Sequence, residues 1–266
     1  HFWAAMYPGH PYGANADPAQ LARLARDDAF SFYRGHFTAQ RAVVSIVGDV
    51  TRAQAEAIAL RLTADLPRGN GASALRAPGL PVAAEKRIAH PSAQAHLLLG
   101  LPALKRGDPD FFALLVGNYS LGGGGFVSRL MKEVREKRGL AYSVYSHFVP
   151  LAQPGPFQIG LQTKKDQAAD ALKLTRQVLA SFLEAGPSEA EVQAAKQNLV
   201  GSFPLRLDSN RKILDNVAAI GFYGLPLDYL DRYAENVEKV TVADVKAAFA
   251  RHVKLENLMT VVVGGE

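Results

Sequence analysis

The sequence predicts an α+β protein that contains a duplicated unit. Residues 155–163, Gly-Pro-Phe-Gln-Ile-Gly-Leu-Gln-Thr, alternate apolar and polar side chains and follow another period-two segment that starts at Leu140. Such alternation is typical of antiparallel strands that expose one face to water. Most other periodic segments have the spacing of helices, and the two ends of the chain resemble each other. We therefore expect an antiparallel sheet, several helices and an internal repeat.

The similarity of the two ends is a repeat with an offset of 216 residues. Residues 36–48 read HFTAQRAVVSIVG and residues 252–264 read HVKLENLMTVVVG, and 252 − 36 and 264 − 48 both equal 216. The preceding helices keep this register, because Asp28 falls on Asp244. The alternative is coincidence, since any helix, loop and buried strand would look similar.

The repeat and one linker divide the chain into three parts. Residues 67–81 are rich in Gly, Pro, Ala and Ser without periodicity, which is typical of a linker. We expect residues 1–66 to be the C-terminal remainder of a first domain and residues 82–266 to be a complete second domain. By the same offset, most of the first copy is expected to lie upstream of His1, so that the sequence is a fragment or a processed product.

Local signals place the elements along the chain. Capping residues such as Asp17, Thr51 and Thr241 begin helices, and β-branched runs that end at glycine are typical of strands. The expected helices are 17–34, 51–62, 108–118, 166–184, one from 188 that bends at Pro204, 209–223, 228–237 and 241–249. The expected strands are 41–47, 85–89, 94–101, one from 140, 155–163 and 258–263.

Residues 119–146 are the most informative stretch, because a four-glycine loop leads into a basic helix and then into a strand. Glycine adopts backbone angles closed to other residues, so we expect a flexible loop here. The loop consists of Gly122, Gly123, Gly124 and Gly125. The following helix places basic side chains in its last turn, and Gly139 stands just after it. Its apolar positions are Phe126, Leu130, Met131 and Val134.

Composition excludes several classes of function. The net charge of +5 is dispersed along the chain, so we expect no nucleic-acid binding. Without cysteine there is no disulfide, thiolate zinc site or cysteine nucleophile. No run of eighteen apolar residues exists, so we expect no membrane span.

The sequence also does not match several common catalytic and binding motifs. A phosphate-binding loop needs Gly-Lys-Ser/Thr after the glycines, where Phe126 and Val127 follow here, and Val127 also replaces the third glycine of a dinucleotide site. Ser120 lacks the two flanking glycines of a hydrolase nucleophile. No two histidines are three or four residues apart, so a helical zinc motif is absent. His36 and His252, which share a repeat position, are expected to cap helices.

One family combines these features. The segment 122–143, GGGGFVSRLMKEVREKRGLAYS, resembles the M16 zinc metallopeptidases, which include pitrilysin and the mitochondrial processing peptidases. Further similar segments are GHPYG at 9–13, VGD at 47–49 and GFYGLPLDYL at 221–230. The resemblance covers the whole chain as the C-terminal part of such a protein. It implies a duplicated LuxS/MPP-like metallohydrolase fold, a mostly antiparallel sheet with helices packed on one face.

The resemblance also assigns roles to residues. Active members hold zinc through His-x-x-Glu-His and a later Glu in the first domain, upstream of the segment similar to residues 2–13. This chain alone is therefore expected to bind no zinc and cleave no peptide. The second domain of the family supplies an Arg and a Tyr seven residues apart that contact the peptide substrate, which here are Arg135 and Tyr142. Considered alone, the same residues would offset a helix dipole and fill a half-buried strand position.

Two other interpretations stay open. Some small M16 peptidases resemble heterodimers in which one subunit holds zinc and the other supplies only the Arg/Tyr pair. Other relatives are non-catalytic core subunits of respiratory complexes. By resemblance we expect a homodimer or heterodimer with another M16 subunit and a periplasmic location.

Overall fold

The computed structural model describes residues 1–69 and 74–264. Its contacts divide the chain into two units. Unit 1 contains His1–Ala14, Arg76–Gly201 and Arg232–Glu266, and unit 2 contains Asn15–Leu75 and Ser202–Asp231. The first fourteen residues thus group with the later part of the chain. The change from unit 2 to unit 1 at Leu75 lies inside the predicted linker, of which residues 70–73 lie outside the described ranges.

Most elements follow the predicted order with shifted ends, but the helix at 2–6 was not predicted, and the helix predicted at 17–34 is interrupted at 22–25. The helices are α1 Phe2–Met6, α2 Pro18–Leu21, α3 Arg26–His36, α4 Arg52–Thr63, α5 Phe111–Asn118, α6 Ala168–Ala185, α7 Glu189–Gly201, α8 Asn210–Tyr223, α9 Tyr233–Glu238 and α10 Val242–His252. The strands are β1 Glu85–Ile88, β2 Gln94–Leu104, β3 Val144–Phe148, β4 Gly155–Lys164 and β5 Met259–Val263. The helix predicted from 188 ends at Gly201, before the proline at which a bend was expected.

The five strands of unit 1 form one sheet in the order β1-β5-β2-β4-β3. Only the β1–β5 pair is parallel among these strands. The sheet is therefore mostly antiparallel, and the predicted α+β fold class is confirmed. The centre of the sheet is β2, whose apolar residues face those of β4; Leu99, for example, lies opposite Ile159.

The long helices pack on one face of this sheet. On α10, Phe249 contacts Phe157 of β4 and Phe182 of α6, with ring centroids 6.5 and 4.9 Å apart. A Cβ at Gly117 of α5 would lie 2.5 Å from the Phe249 ring, so α5 and α10 approach closely. On α6, Arg176 donates to Thr260 Oγ1 of β5 at 3.0 Å. This face holds the main core.

The opposite face of the sheet is partly covered by the start of the chain. Phe2 and Met6 of α1 pack against Met259 and Val261 of β5. Tyr7 is buried behind them and donates to the Pro154 carbonyl at 3.1 Å. Burial raises the pKa of Tyr7, which keeps its hydroxyl a donor. A short amphipathic helix thus becomes part of a core that the sequence pattern did not assign to it.

The structure of unit 2 lacks a strand where one was predicted. Residues 42–47 have no regular secondary structure, no strand among the described residues pairs with them, and Val43 is 53% exposed. The prediction of a buried strand at 41–47 was wrong for this chain, because a strand needs a neighbour for its backbone hydrogen bonds. Thr38 and Ile220 are the buried residues in the described part of this unit.

The predicted repeat has a structural counterpart with the same offset. Helix α3 begins at 26 and ends at 36, and α10 begins at 242 and ends at 252, each 216 residues later. The 3-10 turns Ala39–Arg41 and Leu255–Asn257 keep the same spacing. Asp28 and Asp244 both accept from the backbone N–H three residues earlier, at 2.9 Å. Two unrelated helices would rarely agree at both ends and at the cap. The domain boundaries drawn from this repeat stay a prediction.

None of the helices in the described ranges combines the length and apolar character needed to cross a bilayer.

Candidate functional site

The stretch that the sequence singled out folds as two π-helical turns, with the 3-10 turn Gly125–Val127 between them, followed by β3. Tyr119–Gly123 and Met131–Glu136 are π-helical rather than α-helical, with i to i+5 bonds such as Lys137 N to Lys132 O at 3.0 Å. Gly139 then ends the second turn with φ 62°, as its position predicted. The π geometry was not predicted, since apolar spacing alone does not separate it from an α-helix.

The four glycines are required by close packing as well as by backbone angle. A Cβ at Gly122 would lie 2.5 Å from Ser146 Oγ and 2.6 Å from Ser146 N. At Gly123 it would lie 2.6 Å from Asn118 Nδ2, and at Gly124 2.7 Å from the Tyr119 carbonyl oxygen. Gly125 has φ 60°, which favours glycine. The predicted flexibility of this loop stays a prediction.

A buried pair of hydrogen bonds joins the start of the loop to β3. Asn118 Nδ2 donates to the Ser146 carbonyl at 3.0 Å, and Ser146 Oγ donates to Asn118 Oδ1 at 2.7 Å. Both side chains are buried, so loss of one partner would leave the other unsatisfied. The pair fixes the end of α5 against the strand that follows Tyr142.

The predicted residues Arg135 and Tyr142 lie together. The Arg135 guanidinium carbon is 5.4 Å from the Tyr142 ring centroid and 4.6 Å from that of Phe126. Contacts of this kind are worth about 0.5–1 kcal/mol each at exposed sites. Tyr142 is 85% exposed, so its ring and hydroxyl are accessible. Phe126 was missed as a site residue because its spacing assigned it to a helix interior, yet it is 61% exposed.

Arg135 keeps its hydrogen-bond donors available. Within the described ranges, no carboxylate forms an ion pair with Arg135. Its guanidinium instead makes cation–π contacts with the two rings. Arg129, six residues earlier, is different, since it donates to both Glu191 oxygens at 2.7 and 2.6 Å. A guanidinium with free N–H groups beside an exposed phenol can bind carbonyl or carboxylate oxygens of a ligand.

A cavity of about 560 Å³ lies beside this pair. Its size is within the range of ligand-binding pockets. The lining contains no carboxylate, and its rings and cation are Phe126, Arg135, Tyr142, Tyr145 and His147.

A larger cavity, about 770 Å³, lies between β1 and α6. Its walls are mostly Ala and Leu, and its one carboxylate, Glu85, already pairs with Arg87 and Arg176 at 2.7 and 3.1 Å. Because both arginines already pair with its carboxylate, it is the weaker candidate despite its size.

One cluster among the described residues has the side chains of a possible zinc site. Asp108, Asp110 and His252 bring ligand atoms within 4.8 Å of one another. However, Arg251 donates to both Asp110 oxygens at 2.8 and 2.6 Å, and hydrogen bonding to Arg251 lowers the Asp110 pKa. His252 Nδ1 is 2.9 Å from the Ala103 carbonyl. These contacts form a network between α5 and α10 rather than the donor set of a catalytic zinc.

The helix that would carry the zinc motif in this copy also lacks ligands. α5 reads Phe-Phe-Ala-Leu-Leu-Val-Gly-Asn, without His or Glu. The residues of this unit therefore do not fit a zinc site of the His-x-x-Glu-His type.

Comparison with known proteins decides the family. The model of the peptidase M16 inactive domain matches residues 23–199. The chain belongs to the peptidase M16 family. A crystal structure of a peptidase M16 inactive domain from Pseudomonas fluorescens has a TM-score of 0.94 and 39% identity, and the match covers 98% of this chain and 63% of that one.

Two curated relatives show how broad the family is. An uncharacterized zinc protease of Streptomyces coelicolor is 34% identical over 84% of this M16 chain and 50% of that protein. A non-peptidase homolog of Helicobacter pylori is 31% identical over 68% of this chain and 42% of that protein. This chain thus spans about half the length of these relatives. Membership in the family does not by itself decide whether peptides are hydrolysed.

Proposed function

We propose that this chain supplies the substrate-binding second domain of an M16 zinc metallopeptidase that hydrolyses peptides. The observation that carries the proposal is the state of Arg135, whose guanidinium is held by two aromatic rings and has no carboxylate partner among the described residues. Arg129 differs, because two of its donors already bind Glu191.

The chemistry of the pair suits a peptide backbone. The Arg135 guanidinium and the Tyr142 hydroxyl donate hydrogen bonds, and peptide carbonyl oxygens accept them. Donors aimed at a carbonyl oxygen also stabilise the negative charge that grows on it during hydrolysis. Zinc, the cofactor of the complete enzyme, would be bound outside the residues described here, because the one candidate cluster among them, Asp108, Asp110 and His252, does not fit it.

We also propose that residues 15–66 of unit 2 belong to the first copy of the duplicated fold. Its segment 42–47 corresponds to β5, which lies between β1 and β2 and is buried. In unit 2, residues 42–44 are exposed and residues 45–47 are half-buried; Val43, for example, stands in place of buried Met259. The segment would become a central strand if first-copy strands, which are not among the described residues, paired with it.

A second candidate function is a subunit without peptidase activity of its own. The Helicobacter pylori relative named a non-peptidase homolog favours it. Such a subunit could supply the Arg/Tyr pair to a zinc-holding partner in a heterodimer, or serve only in assembly. A His-x-x-Glu-His motif in the complete protein would exclude this candidate. Dimerisation with another M16 subunit and a periplasmic location rest on the family resemblance alone.

Replacement of the pair in the complete enzyme tests the leading proposal. Arg135→Ala should lower kcat/KM for peptide hydrolysis about a hundredfold and Tyr142→Phe about tenfold, because each removes a donor to the substrate. Zinc content, measured by elemental analysis, should not change. Arg138→Ala is the matched control, since it removes an exposed charge three residues away and should leave turnover near the wild-type value. Unchanged turnover in both test variants would restrict the pair to a structural role.

A further inference from the structure

The cavity beside Arg135 and Tyr142 has a second surface, which is formed by aromatic rings of β3. Tyr145 of β3 lies opposite Gly160 of β4 in the sheet. A Cβ at Gly160 would lie 2.6 Å from both Cζ and Oη of Tyr145. The ring therefore lies over the sheet in space that any other residue at 160 would fill. With 42% of Tyr145 exposed, part of this ring is open to solvent.

His147 extends the same surface. Residues two apart on a strand share a face, and the Tyr145 and His147 rings are stacked with centroids 5.7 Å apart and an angle of 17°. Burial lowers the pKa of His147, so its ring is neutral near pH 7. Together the two side chains form an uncharged surface of planar rings.

The charges around this surface select among ligands. Arg135 is the cation of the cavity, and no carboxylate lines it, so a Lys or Arg side chain would meet like charge. An acidic side chain would be drawn to Arg135 and not to the rings. A neutral aromatic side chain fits the stacked rings best, because rings of this kind attract each other in offset and edge-to-face arrangements.

We propose that Tyr145 and His147, seated over Gly160, form a subsite for an aromatic side chain of the bound peptide. The subsite rests on the proposed function, since it adjoins the Arg135 and Tyr142 contacts and takes a side chain of the same peptide. Gly160 has a defined part in it, because the missing side chain makes room for the Tyr145 ring.

Equilibrium binding measures the preference without cleavage. The complete protein is stripped of metal with a chelator, and fluorescence anisotropy is recorded with two labelled peptides that differ only in one Phe-to-Ala exchange. The Phe peptide should bind about three- to tenfold more tightly. Tyr145→Ala should reduce the ratio to about one, and Tyr145→Phe should keep it, since the ring is retained. Gly160→Ala should also reduce the ratio by displacing the ring.

Phe222→Ala is the control, because it removes an exposed aromatic ring from unit 2 and should leave the ratio unchanged. Equal binding of the two peptides, tighter binding of a Lys or Glu peptide, or a ratio unaffected by Tyr145→Ala would overturn the subsite while leaving peptide binding intact. Absence of binding by every peptide would instead overturn the proposed function.

Discussion

At the scale of residues, the shape of the site depends on glycines, whose missing side chains make room for neighbouring residues. Gly122 leaves room for Ser146, and Gly160 leaves room for Tyr145. The family motif identified Arg135 and Tyr142 from the sequence, and the structure brings them together. Phe126 could not be found in this way, because its helical spacing looks the same whether the side chain faces the core or a cavity. An exposed Phe next to an unpaired Arg is a signal that only coordinates provide.

Gly122→Ala should destabilise the protein by about 1–3 kcal/mol, because the added methyl group would overlap both the side chain and the backbone of Ser146. Adding Ser146→Ala should not restore stability, since the backbone N of residue 146 remains in the way and Asn118 Oδ1 loses its buried donor. Gly201→Ala is the control; it has no neighbour within 4 Å at its Cβ and should be neutral or slightly stabilising. Urea denaturation of the variants measures the differences. Equal stability of Gly122→Ala and wild type would mean that the loop moves away from β3 at little cost.

At the scale of elements, prediction succeeded where the signal is local. The Thr241–Asp244 capping box forms as the sequence indicates, and so does the Ser188–Glu191 box at the start of α7. It failed at 41–47, where the β-branched run has no strand to pair with among the described residues. It also missed the π turns of the site, whose hydrogen bonds differ from those of an α-helix while the apolar spacing is similar.

The Arg129–Glu191 ion pair connects the glycine stretch to the start of α7 and predicts a pH dependence. Hydrogen bonding from Arg129 is the largest of the effects that lower the pKa of Glu191 to about 2, from an ordinary value of 4.5. Because the folded-state pKa is depressed, the pair stabilises the protein fully above about pH 4.5 and loses this contribution as the pH falls toward about 2. Glu191→Gln should cost about 2 kcal/mol at pH 7.

Urea midpoints of wild type and Glu191→Gln at pH 7, 5 and 3.5 check this expectation. The difference between the two proteins should be constant from pH 7 to 5 and smaller at pH 3.5. Glu235→Gln is the matched control, because its partner Lys239 forms an exposed i,i+4 pair, and such pairs contribute little. A Glu191 effect as small as that of Glu235 would show that the pair is screened by solvent.

At the scale of the whole molecule, the internal repeat is the sequence prediction with the most structural support. The 216-residue offset recurs in helix ends, turns and caps. The contact partners of the first fourteen residues could not be predicted. The five residues of α1 are too few for an apolar period to show which sheet they pack against; in the structure that sheet contains β5. Sequence patterns describe single elements well and long-range pairing poorly.

Hydrogen exchange of the two repeat counterparts tests the assignment of residues 15–66 to a first copy. In this chain, amides of residues 42–47 should exchange rapidly, since no described strand protects them, whereas amides of β5 should exchange slowly between β1 and β2. In the complete protein, residues 42–47 should become protected to a degree similar to β5, because first-copy strands would then supply the missing hydrogen bonds. β5 serves as the internal reference in both samples, since its own neighbours are unchanged. If residues 42–47 exchanged equally fast in both proteins, they would not be a sheet strand, and the similarity of the two copies would end at the helix and turn that precede them.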